Sequence, residues 1–292
     1  MGWTFNPLYN LIILQVIWAI GISMIILGLL VFLPYRLLLA IGLLIVFGHN
    51  LLDYESISSG LKGGALPDLL YFANFSPHAL DPEHFVFIVY SFVPWTGLMI
   101  VGYCFGKVFS PNVDPLRRKK WLWQAGLGLI VLFLVLRLIN QYGDPVPWSA
   151  QPRGPVFTFL SFININKYPP SLAFISLTIG IGMLMLSWLE HMNNRITSFF
   201  RIFGRVPMLY YILHFYVIHG LLVILFFIQG FTSKDIVTDQ NPFLFKPPGI
   251  GVNLLGVYVV WIIVVLILYP ICKKYDRYKT LNAGKKWWLS YL

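Results

Sequence analysis

The chain has 292 residues, of which 58% are hydrophobic and 11% are charged, and its mean hydropathy is +0.74. This composition excludes a soluble globular domain and predicts a membrane protein. A net charge of +10 is compatible with nucleic-acid binding, but the basic residues lie mainly between apolar runs, where anionic headgroups attract them. We therefore expect the lipid bilayer, and no nucleic acid, as a partner.

Seven apolar runs follow one another along the chain. Runs of about 20 such residues cross the hydrocarbon core of a bilayer, where they must be helical to satisfy their backbone groups. The predicted spans are residues 11–33, 37–52, 85–106, 121–141, 169–189, 207–229 and 251–272. We predict an all-α fold, one polytopic transmembrane bundle over residues 1–292, with outer loops at 53–84, 142–168 and 230–250.

The placement of lysine and arginine predicts the orientation of the bundle. If the basic tail, residues 273–292, is cytoplasmic, fifteen of the 21 Lys and Arg residues lie in inner segments and five in outer ones. The carboxyl terminus is therefore predicted to be cytoplasmic, and seven spans then put the amino terminus outside. Residues 1–10 have no charged n-region and are no signal peptide. We expect an odd number of helices upstream of Met1; a protein that simply starts outside is the alternative.

No metal site is predicted. Cys104 and Cys272 lie within or at the end of apolar runs and have no metal-ligand spacing, so we interpret them as core residues. The acidic stretch DPEH at residues 81–84 also lacks the spacing of a metal site.

Three polar residues end the second span, in the stretch GHNLLDYE. On a continuous helix His49 and Asp53 share a face, so the carboxylate would orient the imidazole. We predict that these two residues are catalytic and that Asn50 binds substrate, because ionisable groups at membrane depth usually mark a site. The alternative is an interfacial helix end whose polar groups meet water.

Further candidates for substrate binding lie at the predicted outer ends of two spans. Arg137 is expected to snorkel outward; alternatively, it faces the bundle and pairs with an outer acid, such as Asp144, or with substrate. Lys167 and Tyr168 precede a helix start in NKYPPSLAF. They are either an interfacial anchor or, beside a helix N-terminus, ligands for an anionic or hydroxyl-rich molecule.

The stretch FFRIFGRVPMLYYILHFYVIHG carries the remaining candidates. A helix is predicted to begin at Pro207, and the candidates on one face of it are Tyr210, Tyr211 and His214. His214 is a candidate catalytic residue; alternatively, it is a neutral imidazole bonded to a neighbouring helix.

Two arginines precede this helix. Arg201 and Arg205 beside a helix N-terminus are typical of a phosphate receiver. The positive-inside rule alone is the competing explanation.

Four motifs together resemble a known family: QVIWAIGISMIILGLL, GHNLLD, NKYPPSLAF and FGRVPMLYYILHFYVIHG. In this order they are similar to bacterial membrane proteins grouped with the heparan-alpha-glucosaminide N-acetyltransferase catalytic domain. The resemblance implies a multi-pass acyltransferase of the bacterial inner membrane. Such a protein takes an acetyl or acyl group from acetyl-CoA in the cytoplasm and passes it to a sugar or glycan acceptor. The residues that would bind the CoA donor are Arg201, Arg205, Tyr210 and Tyr211.

The sequence departs from the family at its start. Family members usually open with an Arg-Gly pair, a catalytic histidine and two more helices, whereas GWTFNPLY resembles the segment just after them. We therefore expect three helices upstream, without which activity is in doubt. The alternatives are a permease or flippase-like transporter without group transfer, and a non-catalytic remnant. The acceptor, the acyl donor and the oligomeric state stay open.

Overall fold

The computed structural model describes residues 5, 10–73, 75, 77–236 and 243–290, and over these the chain is mostly helical. The helices are α1 (Val16–Leu30), α2 (Tyr35–Gly48), α3 (Glu55–Ser58), α4 (Ala65–Pro67), α5 (Val93–Phe105), α6 (Pro115–Ile139), α7 (Pro155–Ile163), α8 (Leu172–Leu189), α9 (Arg195–Arg205), α10 (Pro207–Ile228) and α11 (Leu254–Leu281). The strands are β1 (Leu11–Leu14), β2 (Pro77–Ala79) and β3 (Phe85–Ile88). A 3₁₀ turn, His49–Asp53, continues α2, and a π-helical turn, Asp68–Phe72, continues α4.

Among the residues that the structure describes, five helical segments are long and apolar enough to cross a membrane: Tyr35–Asp53, α6, α8, α10 and α11. Apolar side chains are widely exposed along them, which indicates a membrane protein. The first and third predicted spans are shorter than we expected, because α1 has 15 residues and α5 has 13. At about 1.5 Å per residue these helices cover only ~20 Å of a hydrocarbon core ~30 Å thick.

A small sheet explains the two short helices. The apolar residues that precede α1 and α5 form β1 and β3, and the strand order is β1–β3–β2. β2 pairs antiparallel with β3, with His78 opposite Val86. The all-α prediction therefore needs this sheet added: β2 lies in the predicted outer loop 53–84, and β1 and β3 lie at the starts of the first and third predicted spans.

Contacts within the chain divide it into two compact units, residues 12–191 and residues 1–11 with 192–292. In the first unit, α6 and α8 approach closely because both carry a glycine at the contact. A Cβ atom on Gly126 would lie 2.9 Å from the Gly180 carbonyl oxygen and 2.9 Å from Leu184 Cγ. The largest core of this unit joins α2, α6 and α8 through Val46, Phe133 and Leu172.

The second unit is built from α9, α10 and α11. Asn194 caps α9 through a capping box with Thr197, and the chain turns at the buried Val206 before α10 begins at the predicted Pro207. The core of this unit consists of Val206, Val264, Leu268 and Cys272. α11 continues to Leu281, so the first part of the predicted tail is helical.

Candidate functional site

The predicted site at the end of the second span adopts a different geometry from a continuous α-helix. The chain tightens into a 3₁₀ turn at His49–Asp53, and in such a turn residues three apart are aligned. Asn50, and not His49, therefore meets Asp53, and its Nδ2 donates to Asp53 Oδ2 at 2.6 Å. The expected hydrogen bond between His49 and Asp53 is replaced by this one.

Asp53 is held by a second donor from the predicted loop. The Tyr71 hydroxyl donates to Asp53 Oδ1 at 2.6 Å, and Tyr71 is only 2% exposed. Burial raises the pKa of the Tyr71 phenol, and the adjoining Asp53 carboxylate raises it further. Tyr71 therefore keeps its proton at neutral pH and acts as a hydrogen-bond donor.

Asn50 connects this carboxylate to α8. Its Oδ1 accepts a hydrogen bond from the Leu172 backbone N–H at 2.8 Å, and Asn50 is 1% exposed. That N–H belongs to the first residue of α8 and has no partner within its own helix. One amide side chain thus satisfies a helix start and orients Asp53.

His49 is surrounded by acceptors. Nδ1 lies 2.9 Å from the Ile45 carbonyl oxygen, and Nε2 lies 2.9 Å from the Pro170 carbonyl oxygen. A neutral imidazole has one N–H, so both bonds form only in the doubly protonated ring. In that state neither ring nitrogen can accept a proton. This geometry supports a positioning role for His49, while the predicted catalytic role stays a prediction.

A cavity of about 220 Å³ opens beside Asp53. Its polar lining residues are Asp53, Lys62, Tyr71, Asn166 and Tyr168. The volume is below the ~300–1,000 Å³ of sites that enclose drug-sized ligands. The cavity therefore suits one polar group of a larger molecule, and its lining offers both hydrogen-bond donors and acceptors.

Of the two predicted substrate ligands before α8, only Tyr168 lines this cavity. Its hydroxyl lies 3.4 Å from that of Tyr90, and their rings meet edge to face. Lys167 is exposed, with Nζ 5.2 Å from the Tyr168 ring centroid. Partial burial opposes the charge of Lys167, but the phenol oxygens of Tyr90 and Tyr168 outweigh it and raise the pKa of Lys167. A cation thus stands next to the cavity.

Arg137 points inward, so the expectation that it snorkels outward is wrong. It is 2% exposed and donates to the Phe162 carbonyl at 2.7 Å and the Ser161 carbonyl at 2.8 Å. Asp144, an outer acid, lies 3.8 Å away. A buried guanidinium needs such partners; the end of α7 supplies the two carbonyls, and the loop after α6 supplies Asp144. In this conformation Arg137 is not accessible to a substrate.

The loop held by Arg137 leads to the cavity. Asp144 accepts hydrogen bonds from the Asn166 backbone N–H at 2.9 Å and from the Ser171 hydroxyl at 2.7 Å. These contacts fix the segment that carries Tyr168, where the Tyr168–Pro169 peptide bond is cis. Arg137 and Asp144 therefore position the wall of the cavity.

Three polar residues of the cavity were not among the sequence candidates: Lys62, Tyr71 and Asn166. Two of them lie in the polar stretch 53–84, which we interpreted as a surface loop. Its high content of Gly, Pro and Ser hides the fact that Tyr71 and Asp68 are each 2% exposed. A buried acid within a polar stretch would have been the signal, but burial is not visible in one sequence.

The candidates of the second unit lie on α9 and α10. The ring of His214 stacks on that of Tyr210 with centroids 5.7 Å apart, and Tyr211 lies 5.4 Å away, so the three share a face. His214 Nδ1 faces the Tyr211 carbonyl oxygen of its own helix. Nδ1 therefore does not form the hydrogen bond to a neighbouring helix that was the alternative.

The two arginines of α9 differ in their surroundings. Arg205 Nε lies 3.0 Å from Asp276 Oδ1, and Nη2 donates to the Thr280 hydroxyl at 2.7 Å. Arg201 is exposed and has a long contact, 3.5 Å, with Asn193 Oδ1. Arg201 is thus more available to an anion, whereas an anion at Arg205 would compete with Asp276.

Fold and site together define a class: a helical membrane protein with a small polar cavity at the end of one membrane-long helix. Comparison of the chain with protein-family models, with curated proteins and with solved structures finds no match. The acyltransferase resemblance accordingly stays a prediction. Over the described ranges no group of three or more His, Cys, Asp or Glu side chains is arranged to hold a metal ion.

Proposed function

We propose that this chain is a membrane acyltransferase-like protein and that the cavity beside Asp53 receives a hydroxyl group of a sugar or glycan acceptor. The observation that carries the proposal is a carboxylate fixed by Tyr71 and Asn50 at 2.6 Å each, on the wall of a polar cavity. A carboxylate oxygen has two lone pairs, so each oxygen of Asp53 can accept one more proton donor.

In the proposed reaction Asp53 acts as general base. The acceptor hydroxyl oxygen forms a bond to the carbonyl carbon of the acyl thioester while its proton passes to Asp53. The carbon–sulfur bond then breaks, and the thiolate takes up a proton as the thiol leaves. Asn50 and Tyr71 hold the carboxylate so that it is directed at the hydroxyl.

On the donor side we propose that acetyl-CoA supplies the acyl group. Arg201 supports this part best, because its side chain is exposed and its hydrogen bond to Asn193 within the described ranges is long, at 3.5 Å. Phosphate groups are natural partners for such a side chain. Arg205, Tyr210, Tyr211 and His214 are proposed to bind or line the path of the donor.

The test is transfer of radiolabelled acetyl from acetyl-CoA to glucosamine by the full chain in lipid vesicles. Asp53→Asn keeps the shape of the side chain but cannot accept the proton, so we expect the rate to fall by about 10²–10⁴-fold. Tyr71→Phe leaves the base in place and should cost less. Asp81→Asn is the matched control, because Asp81 is an exposed acid of the same unit.

Equal rates for Asp53→Asn and the unmodified chain would rule out Asp53 as the base. Entry of labelled glucosamine into the vesicles without acetylation would favour the permease alternative. The first result would overturn the role of Asp53, and the second would overturn the proposed acyl transfer.

A further inference from the structure

An apolar groove of about 440 Å³ lies on the second unit, and it shares no lining residue with the Asp53 cavity. The residues that line it include Phe199, Phe200 and Phe203 of α9, Tyr210 of α10, and Trp261 and Val265 of α11. Phe200 is 65% exposed and Trp261 is 60% exposed. Large apolar side chains so exposed indicate a surface that meets hydrocarbon.

The groove has a basic end. Along α11, Val265, Tyr269 and Lys273 follow at intervals of four residues and so lie on one face. The Tyr269 ring stacks on the Phe199 ring with centroids 4.6 Å apart, and Lys273 Nζ lies 5.9 Å from the Tyr269 centroid. Lys273 is therefore about 12 Å along the helix axis from Val265, beyond an aromatic pair that borders the groove.

The charge at this end is not neutralised within the described part of the chain. The nearest acid along α11 is Asp276, and it is paired with Arg205 at 3.0 Å. Over residues 192–236 and 243–290, Lys273 forms no ion pair. The groove thus combines an apolar channel with an unneutralised cation beyond its aromatic border.

We propose that this groove binds an anionic phospholipid, with an acyl chain along α11 and the phosphate at Lys273. The exposed aromatic walls suit a hydrocarbon chain, and the cation suits a headgroup with net negative charge. A zwitterionic lipid would fill the groove but leave the cation without a net counter-charge. Free phosphate would lack the apolar part. The site is independent of the proposed acyl transfer.

The experiment compares lipids of identical acyl chains on the purified full chain in detergent. Native mass spectrometry counts bound phosphatidylglycerol and phosphatidylcholine, and thermal unfolding measures the stabilisation by each. We expect phosphatidylglycerol to be retained preferentially. Lys273→Gln should weaken its binding about fivefold, the typical effect of one cation near a membrane surface. Lys274→Gln is the matched control, because the neighbouring exposed lysine points about 100° away around the helix.

Val265→Phe tests the groove itself, since the larger side chain fills it and should displace the lipid with Lys273 intact. Equal weakening by Lys273→Gln and Lys274→Gln would show diffuse charge attraction and overturn the proposal. So would equal retention of both lipids, or stabilisation by inorganic phosphate alone. A change of oligomeric mass in Val265→Phe with lipid binding unaltered would instead identify the groove as a contact between copies. If Val265→Phe fails to fold, the comparison of Lys273→Gln with Lys274→Gln still tests the proposal, because both lysines are on the surface.

Discussion

One arginine–aspartate pair in residues 12–191 and one in residues 192–292 use charge in opposite ways. In the first unit the side chains of Arg137 and Asp144 are 2% and 4% exposed, and they tie a long loop to α6 and α8. In the second unit the guanidinium of Arg205 is 48% exposed in its pair with Asp276. The comparison teaches that buried charge here organises the fold, whereas exposed charge is available to partners.

Packing differs in the same direction. In the most apolar stretch of α8, 33% of the residues are buried, whereas in the corresponding stretch of α10 only 6% are buried. Glycines let α8 approach α6 closely, while α10 and α11 present long exposed apolar faces. The first unit is therefore stabilised from within, and the second depends more on the hydrocarbon around it.

The largest difference between the units should appear when each arginine is removed. Arg137→Met removes the counter-charge of the buried Asp144 and the side-chain donor to the Ser161 and Phe162 carbonyls, so we expect a loss of about 3–5 kcal/mol of unfolding free energy. Arg205→Met removes a partly exposed pair and should cost about 1 kcal/mol. Unfolding by sodium dodecyl sulfate titration, followed by circular dichroism, measures both. Similar losses from the two substitutions would contradict the contrast.

A smaller effect is expected from the packing of α6 against α8. Gly126→Val would place atoms against the Gly180 backbone and Leu184, so we expect a loss of about 1–3 kcal/mol. Gly128→Val on the same helix is the control, because a Cβ atom there meets nothing within 4 Å. The same titration measures both variants. If both lose the same stability, helix propensity and not close contact accounts for the effect.

The smallest expected effect is a lowered aspartate pKa, and it should be found in both units. The backbone N–H of Glu83 lowers the pKa of Asp81, and that of Thr232 lowers the pKa of Asp235, both below the ordinary value of about 3.8. When the pKa of a carboxyl group is lower in the folded state than in the unfolded state, the group stabilises the fold at pH values above the unfolded pKa. This stabilisation is lost as the pH falls through the folded pKa. We expect carbon-13 NMR of labelled aspartate to show both titrations below pH 3.8.

Thr232→Val provides the control for this titration. It removes the hydroxyl donor to Asp235 but keeps the backbone N–H, which donates at 2.8 Å. The pKa of Asp235 should then rise part of the way and that of Asp81 should not change. An unaltered Asp235 titration would mean that the hydroxyl contributes nothing.

Much of the helical framework could be predicted, because long apolar runs have few other solutions in a membrane. The starts of α1 and α5 could not. Residues 11–14 and 85–88 are as apolar as the helices that follow them, and periodicity does not separate a short strand from the first turn of a helix. Pairing between two distant segments decided their structure.

The sequence singled out polar residues at the end of the second predicted span, but it did not predict their contacts. Asn50 accepts a hydrogen bond from the Leu172 backbone N–H, 122 positions away. Asn50 lies in the 3₁₀ turn after α2, and this turn aligns Asn50 with Asp53. Arg137 likewise finds its partners at Ser161 and Phe162. Local spacing carries no information about either, so the sequence indicated the residue types and the tertiary structure decided which of them meet.

The glycine contact between α6 and α8 has a consequence for how this sequence can diverge. Each backbone occupies the volume that a side chain on the other helix would need, since a Cβ atom on Gly180 would lie 3.2 Å from the Gly126 carbonyl oxygen. A larger residue at either position forces the helices apart and leaves its neighbour facing an unfilled gap. The two positions are therefore expected to covary among descendants of this chain, with Gly or Ala retained at one whenever the other enlarges.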